Sequence, residues 1–199
     1  MTTSNTRAYV LGNGTSRQDV NLFSLKDKGT IYGCNALYRE FAPEYKIPDY
    51  LIAIDNKIAA EIMESNFPPG RFIHPPWEEQ YEPAEMYDHK AAPPHTPRSN
   101  AGMNAMTEAI RAGHNELIML GFDFLCVDES QCVSNLYDGS YAYGTETRTS
   151  ATDSRNRMRY LSFFLVNNKE ITFKFCFPEG MKVYLPDLPN VSFISTKEL

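Results

Sequence analysis

Short apolar runs alternate along this chain with turn residues and with stretches of helical spacing. Ala8-Tyr9-Val10-Leu11 is an apolar run that ends in Gly12-Asn13-Gly14-Thr15-Ser16, which reads as a first strand and a tight turn. An irregular or helix-like stretch from Arg17 to Leu25 follows. Thr30 to Cys34 reads as a second strand, trailed by a short helix around Ala36 to Phe41. Asp49 to Ile54 reads as a third, then a helix from Asn56 to Ser65, and Arg71 to His74 as a fourth strand. Ala101, Ala105, Ala109 and Ala112, with Met106 and Ile110, recur at helical spacing and stop before Gly113. Leu117-Ile118-Met119-Leu120 is continuous and apolar, as strands buried on both faces are. A helix from Ser154 to Val166, a strand from Ile171 to Phe177 and a last strand at Val191 to Ile194 complete the pattern. Strand, turn and helix repeated this often predict an α/β fold: one doubly wound, mostly parallel, Rossmann-like sheet flanked by helices. With no internal repeat and no linker, the expectation is one nucleotide-binding domain over 1–199. In such sheets ligands bind beyond the carboxyl ends of the strands, at a topological switch point.

Composition narrows the function classes. The 199 residues are 42% apolar, too many for a disordered chain, and enough for one substantial core. Acidic residues outnumber basic ones, giving a formal net charge of −6, which disfavours a general nucleic-acid binder. No run approaches the roughly 20 apolar residues of a transmembrane helix. Met1 to Arg7 is polar and does not read as a signal peptide, so the expected address is the cytoplasm. The sequence leaves a homo-oligomer open. Cys34, Cys126, Cys132 and Cys176 show no C-x-x-C spacing and no histidine placed to complete a zinc pattern. Cys34 and Cys176 sit in apolar runs and read as buried reduced thiols, while Cys126 and Cys132 could pair, against which a cytosolic setting argues. One region breaks the alternation: 67–98 holds eight of the thirteen prolines, Trp77, and His74, His89 and His95. It reads as a long surface connection or a lid.

Candidate chemistry lies at the strand ends. Gly12, Gly14, Thr15 and Ser16 stand where a first helix would begin, and backbone N–H groups there can hold a phosphate. Position 17 is Arg17 rather than a third glycine, and no G-K-[ST] follows, which argues against NAD and against a P-loop. Asn35, Asp55, Asn100 and Asp123 end or follow other strands, and such side chains can converge on one crevice to bind a ribose and a base edge. Each alone is also an ordinary cap or turn residue.

These segments together resemble a family. Gly12-Asn13-Gly14-Thr15-Ser16 is similar to the G-N-G-P-S element of the bacterial CMP-sialic-acid-dependent sialyltransferases (glycosyltransferase family 42) and of the MptE-like (DUF115) proteins. Cys34-Asn35-Ala36-Leu37-Tyr38 resembles the sialyltransferases' C-N-x-x-Y, and Pro48 to Asp55 the MptE-like P-D-Y strand. Asn100 to Phe124 resembles a block shared by both, Gly139 to Tyr143 the S-Y-A-F turn, and Ile171 to Pro178 the last core strand. The resemblance implies a nucleotide, CMP-type in the sialyltransferases, held by Asn13 and Asn35. It implies contacts to the sugar nucleotide from Asn100, Ala101 and Gly102. Tyr141, with Tyr143 beside it, would support the leaving phosphate. In the MptE-like pyrophosphokinases the positions of Asp55 and Asp123 lie near nucleotide and magnesium.

The departures carry weight. The sialyltransferases take their general base from a histidine before the penultimate helix, whereas Thr149-Ser150-Ala151-Thr152-Asp153 stands here, with no histidine after His114. A positioned base is typically worth about 10²–10⁴-fold in rate. His74, His89 or His95 would have to reach in from the proline-rich stretch. No D-x-D clamp is present, so magnesium would rest on Asp55, Asp123 or Asp128 through waters. Arg148, Arg155, Arg157 and Arg159 are candidates to steer phosphates, though they cannot all point one way on a helix. Three readings follow. The first is a transferase using a nucleotide-activated donor, such as a sugar nucleotide, with Tyr141 and Asp123 catalytic and a small-molecule or glycan acceptor. The second is a magnesium-dependent pyrophosphokinase acting with ATP. The third is a non-catalytic nucleotide-binding module that has lost its base.

Overall fold

The computed structural model describes residues 6–75, 99–126, 135–144 and 151–199. Strands β1 (Arg7–Leu11), β2 (Thr30–Cys34), β3 (Tyr50–Ile52), β4 (Phe72–Ile73), β5 (Glu116–Leu120), β6 (Thr172–Phe177) and β7 (Val191–Ser195) form one sheet. Their order is β4-β3-β2-β1-β5-β6-β7, and every pair is parallel. The chain builds outward from β1 to β4, returns across the sheet, and builds outward again from β5 to β7. The reversal falls between β1 and β5, so the crevice of a doubly wound sheet lies beyond Leu11 and Leu120. The α/β Rossmann-like fold read from the sequence is the fold observed.

Helices α1 (Asn56–Glu64), α2 (Ala101–Arg111) and α3 (Ala151–Asn167) match the helical spacings. On one face Ala101, Ala105, Met106 and Ala109 of α2 and Leu161 and Leu165 of α3 pack on Val10, Met119, Phe173 and Phe175. On the other, Ile58 and Ile62 of α1 pack with Leu37, Phe41, Leu11 and Leu120. β6 shows the strand period: Phe173, Phe175 and Phe177 are fully buried on one face, with Lys174 and Cys176 between them. Removing any of these phenyl groups is expected to cost about 3–5 kcal/mol. At the amino edge, Glu116 accepts Arg7 from β1 at 2.7 Å and Lys174 from β6 at 2.5 Å, which pins three neighbouring strands in register.

The irregular or helix-like stretch after β1 and the short helix after β2 are 3-10 segments, Thr15–Arg17, Leu22–Leu25 and Asn35–Phe41. The reason for the first is visible in Arg17. Its side chain folds back to donate to the Gly12 carbonyl at 2.6 Å and to Glu40 at 2.8 Å, closing the turn on itself. Cys126 is disulfide-bonded, which corrects the expectation of a reduced thiol there, while Cys34 and Cys176 are buried and unpaired as expected. Cys132, Trp77, His89, His95, Asp128, Arg148 and most of the proline-rich stretch lie outside the described residues. Among the described residues no helix is long and apolar enough to cross a membrane.

Candidate functional site

The seam between β1 and β5 brings two backbones into contact. Gly12 N–H donates to the Leu120 carbonyl at 2.8 Å, and Gly14 N–H to the Gly121 carbonyl at 3.1 Å. The turn after β1 is therefore bolted to the end of β5 instead of projecting freely. A further segment closes over it: Leu136 N–H donates to the Asn13 carbonyl at 2.9 Å, and Asn135 bridges to Gly14. This carries Tyr137, Tyr141 and Tyr143 to the carboxyl edge of the sheet.

Asn13, Asn35 and Tyr143 meet there. Asn13 Nδ2 lies 3.3 Å from the Tyr143 hydroxyl, which also lies against the Asn35 side chain and the Ala36 N–H. Burial raises the Tyr143 pKa, against the pull of those two donors, and keeps the phenol neutral. Oδ1 of Asn13 and Oδ1 of Asn35 are both buried without a hydrogen-bond partner. Asn35 holds φ of 52°, the left-handed region that asparagine tolerates better than most residues, and Ala142 holds φ of 66°. Backbone strain of this kind gathers at ligand sites.

The remaining residues read from the sequence fall as follows. Asn100 accepts the Met103 N–H at 2.9 Å and caps α2, whose start lies at the carboxyl edge because α2 runs back toward β5. Ala101 and Gly102 are buried, and a Cβ on Gly102 would sit 2.9 Å from the Phe122 ring. Asp55 is exposed at the start of α1, and its side chain makes no cap bond. Tyr141 is 62% exposed, with the Lys57 ammonium 4.8 Å from its ring centroid. Asp123 turns inward beneath the Gly12–Ser16 turn and is buried, accepting Ser16 N–H at 3.0 Å. Burial raises its pKa, and hydrogen bonds from Ser16 and Thr15 with the charge of Arg17 oppose the rise. Asp55 stands in solvent and Asp123 is already saturated by the turn, and the described residues gather no group of three or more metal-ligating side chains. They do not fit a fixed magnesium site.

His74 lies at the carboxyl edge, with Nδ1 2.7 Å from the Ala53 carbonyl. In a parallel ladder that carbonyl would take the N–H of residue 75, but Pro75 has none, and the imidazole supplies the donor instead. Arg155 and Arg159 are exposed and Arg157 half-buried on α3.

Sequence reasoning did not single out the residues that clamp the crevice. Arg17 donates to Glu40, and the Tyr137 hydroxyl joins them at 3.2 Å from the guanidinium. Arg39 grips Glu61 with two bonds, of 2.7 and 2.6 Å, and with the rest of its fork donates to Ser140 Oγ at 2.8 Å and the Tyr141 carbonyl at 3.0 Å. The tyrosine turn is thus fastened to α1 through one guanidinium, a geometry lysine cannot reproduce. The only sequence sign of Arg17 was that it is not glycine.

No family model matches the chain, and no curated protein matches it. Among solved structures, the chain is similar to the MAf glycosyltransferase from Magnetospirillum magneticum AMB-1, with a TM-score of 0.58 at 14% identity. The match covers 98% of this chain and 34% of that one, so the chain spans about a third of the length of that enzyme. At this identity the likeness concerns the fold alone.

Proposed function

We propose that the chain is the nucleotide-binding core of a glycosyltransferase-like transferase that takes a nucleotide-activated sugar as donor. The observation that carries this reading is the pair of buried, unpartnered oxygens on Asn13 and Asn35, set on either side of the Tyr143 hydroxyl. A buried acceptor without a donor costs about 1–3 kcal/mol, so two at adjacent strand ends call for a ligand that donates. A nucleoside supplies such donors in its ribose hydroxyls and exocyclic amine. The position at the switch point, the fold of the MAf glycosyltransferase and the motif resemblance to the sialyltransferases support the same reading, the last favouring a cytidine donor.

In this reading Asn13 and Asn35 orient the nucleoside, and Tyr143 spaces their amides. Asn100, Ala101 and Gly102 line the wall at the start of α2. Tyr141 stands at the rim, where its hydroxyl can donate to the departing phosphate. Thr15, Ser16 and Asp123 shape the floor. The chain acts as one domain in the cytoplasm, with a small-molecule or glycan acceptor approaching from the side of the proline-rich stretch.

Thermal unfolding with CMP, UDP, GDP and ATP tests the reading. A ligand at ten times its Kd stabilises the native state by about 1.4 kcal/mol, a midpoint rise of about 3–5 °C for a chain of this size. CMP is expected to give the largest rise, and Asn35→Ala to abolish it. No rise with any nucleotide at millimolar concentration sinks the reading. A rise without turnover of CMP-activated sugar, across a panel of acceptors, makes the chain a binding module.

A further inference from the structure

The Gly12–Ser16 turn meets a carboxylate of the chain's own. Asp123 Oδ2 accepts Ser16 N–H at 3.0 Å and the Thr15 hydroxyl at 3.5 Å, and Oδ1 accepts the Ser16 hydroxyl. The residue is 7% exposed. Gly14 exists for this contact, because a Cβ there would lie 2.2 Å from the Asp123 Cγ. Three neighbouring N–H groups are spent as well. Gly12 donates to Leu120, Gly14 to Gly121, and Arg17 back to Gly14 at 3.4 Å. A phosphate cradle needs backbone N–H groups aimed outward at the ligand, and a helix behind them whose dipole favours the anion. Here three residues of 3-10 helix stand behind the turn, and an internal anion stands in front of its donors.

We propose that Asp123 is a built-in anion that fills the phosphate position of this turn, so that the turn offers Asn13 to the uncharged part of the ligand and keeps the ligand's phosphate off it. Asp123 is then a positioning residue. It sets the direction of Asn13 by holding Thr15 and Ser16, and it rejects a second anion by charge and by occupancy. The statement about the turn stands on the hydrogen bonds alone. Its consequence for ligand orientation rests on the nucleoside reading above.

Inorganic phosphate, added to the full ¹⁵N-labelled chain and followed at the Ser16 amide by NMR, separates the two. The wild-type Ser16 resonance is expected to stay in place. In Asp123→Gly, which empties the position, it is expected to shift saturably with at least about a tenfold gain in phosphate affinity. A saturable shift of Ser16 in the wild type overturns the proposal, as does a folded Asp123→Gly chain that ignores phosphate. Asp123→Asn keeps the shape and removes the charge, so the affinity ratio of CMP to cytidine is expected to rise. A merely structural role would lower both affinities together, and an unchanged ratio overturns the charge argument. If neither cytidine nor CMP binds any form, the nucleoside reading fails while the phosphate titration still decides the role of Asp123.

Discussion

Gly12 and Gly121 touch backbone to backbone across the seam of the sheet. A Cβ on Gly12 would lie 2.5 Å from the Gly121 carbonyl oxygen, and one on Gly121 would lie 2.7 Å from the Gly12 oxygen. Gly121 also holds φ of 71°. Alanine at 121 therefore meets both a left-handed backbone and a wall of main chain that cannot rotate away. The expected loss is about 2–4 kcal/mol. Gly113 is the control, because its φ of 92° is equally unfavourable to alanine but nothing lies within 4 Å of its Cβ. Gly113→Ala is expected to cost about 1–2 kcal/mol. Urea denaturation of both variants reads the difference, and equal losses would show that the contact carries no weight.

Arg39 joins α1 to the tyrosine turn, so its removal should act on the ligand more than on the fold. The Arg39–Glu61 pair is only partly buried, with side chains 23% and 21% exposed, and pairs of that kind contribute roughly 1 kcal/mol or less. The bonds to Ser140 and the Tyr141 carbonyl set the position of the rim tyrosine. Arg39→Lys is expected to leave the unfolding midpoint within a few degrees and to weaken CMP about tenfold, the worth of one charge-assisted hydrogen bond. Calorimetric titration of CMP against both proteins measures it. A large loss of stability at unchanged affinity would mean that Arg39 serves α1 alone.

Lys57 bears on where the ligand's phosphate goes. The net charge of −6 works against any anion, and two guanidinium groups near the crevice, Arg17 and Arg39, are already neutralised by Glu40 and Glu61. Lys57 instead rests over the Tyr141 ring, at the exposed lip. Lys57→Ala is expected to weaken CMP about threefold to tenfold at low salt and to leave cytidine unchanged, with the effect shrinking as salt screens it. Equal weakening of both ligands would assign Lys57 to the tyrosine turn rather than to phosphate.

The architecture was legible because a parallel sheet buried on both faces writes itself as continuous apolar runs. Leu117 to Leu120 and Tyr9 to Leu11 are such runs, and both were assigned from apolarity alone. Asn35 stands directly after a buried strand and so is a candidate for the crevice edge, while the assignment of Asn13 and Asn35 to the nucleotide comes from the motif resemblance. The direction of Asp123 was not legible. A strand-end aspartate can face solvent, a metal or the chain itself, and only the three-dimensional position of Ser16, 107 residues away, decides. The Arg17 clamp was hidden in the same way, because its partner Tyr137 is 120 residues distant. Local pattern carries the strands and helices, and long-range hydrogen bonding carries the site.

His114 gives the stability of the chain a pH dependence that can be isolated. It follows α2 at the amino edge of the sheet, with its ring edge-on to Tyr32 at 5.7 Å and its Nδ1 buried without a partner. Arg7, Asp49 and Tyr50 line the cleft around it. Burial lowers its pKa below the ordinary 6.5, outweighing a backbone hydrogen bond at Thr6. A histidine held neutral in the fold contributes stability that is complete above its unfolded pKa. That contribution declines as pH falls through 6.5 toward the folded value, because the unfolded chain takes up the proton first. Glu61 and Glu116 are also lowered, below 4.5, but their contributions stay constant until the solution is more acid. Between pH 7.5 and 5 the unfolding midpoint of the wild type is therefore expected to fall. His114→Phe keeps an aromatic edge against Tyr32 and removes the titrating nitrogen, and the wild-type midpoint is expected to fall relative to that of the variant as pH drops. Parallel curves across that window would show that the imidazole is as free to protonate in the fold as in the unfolded chain.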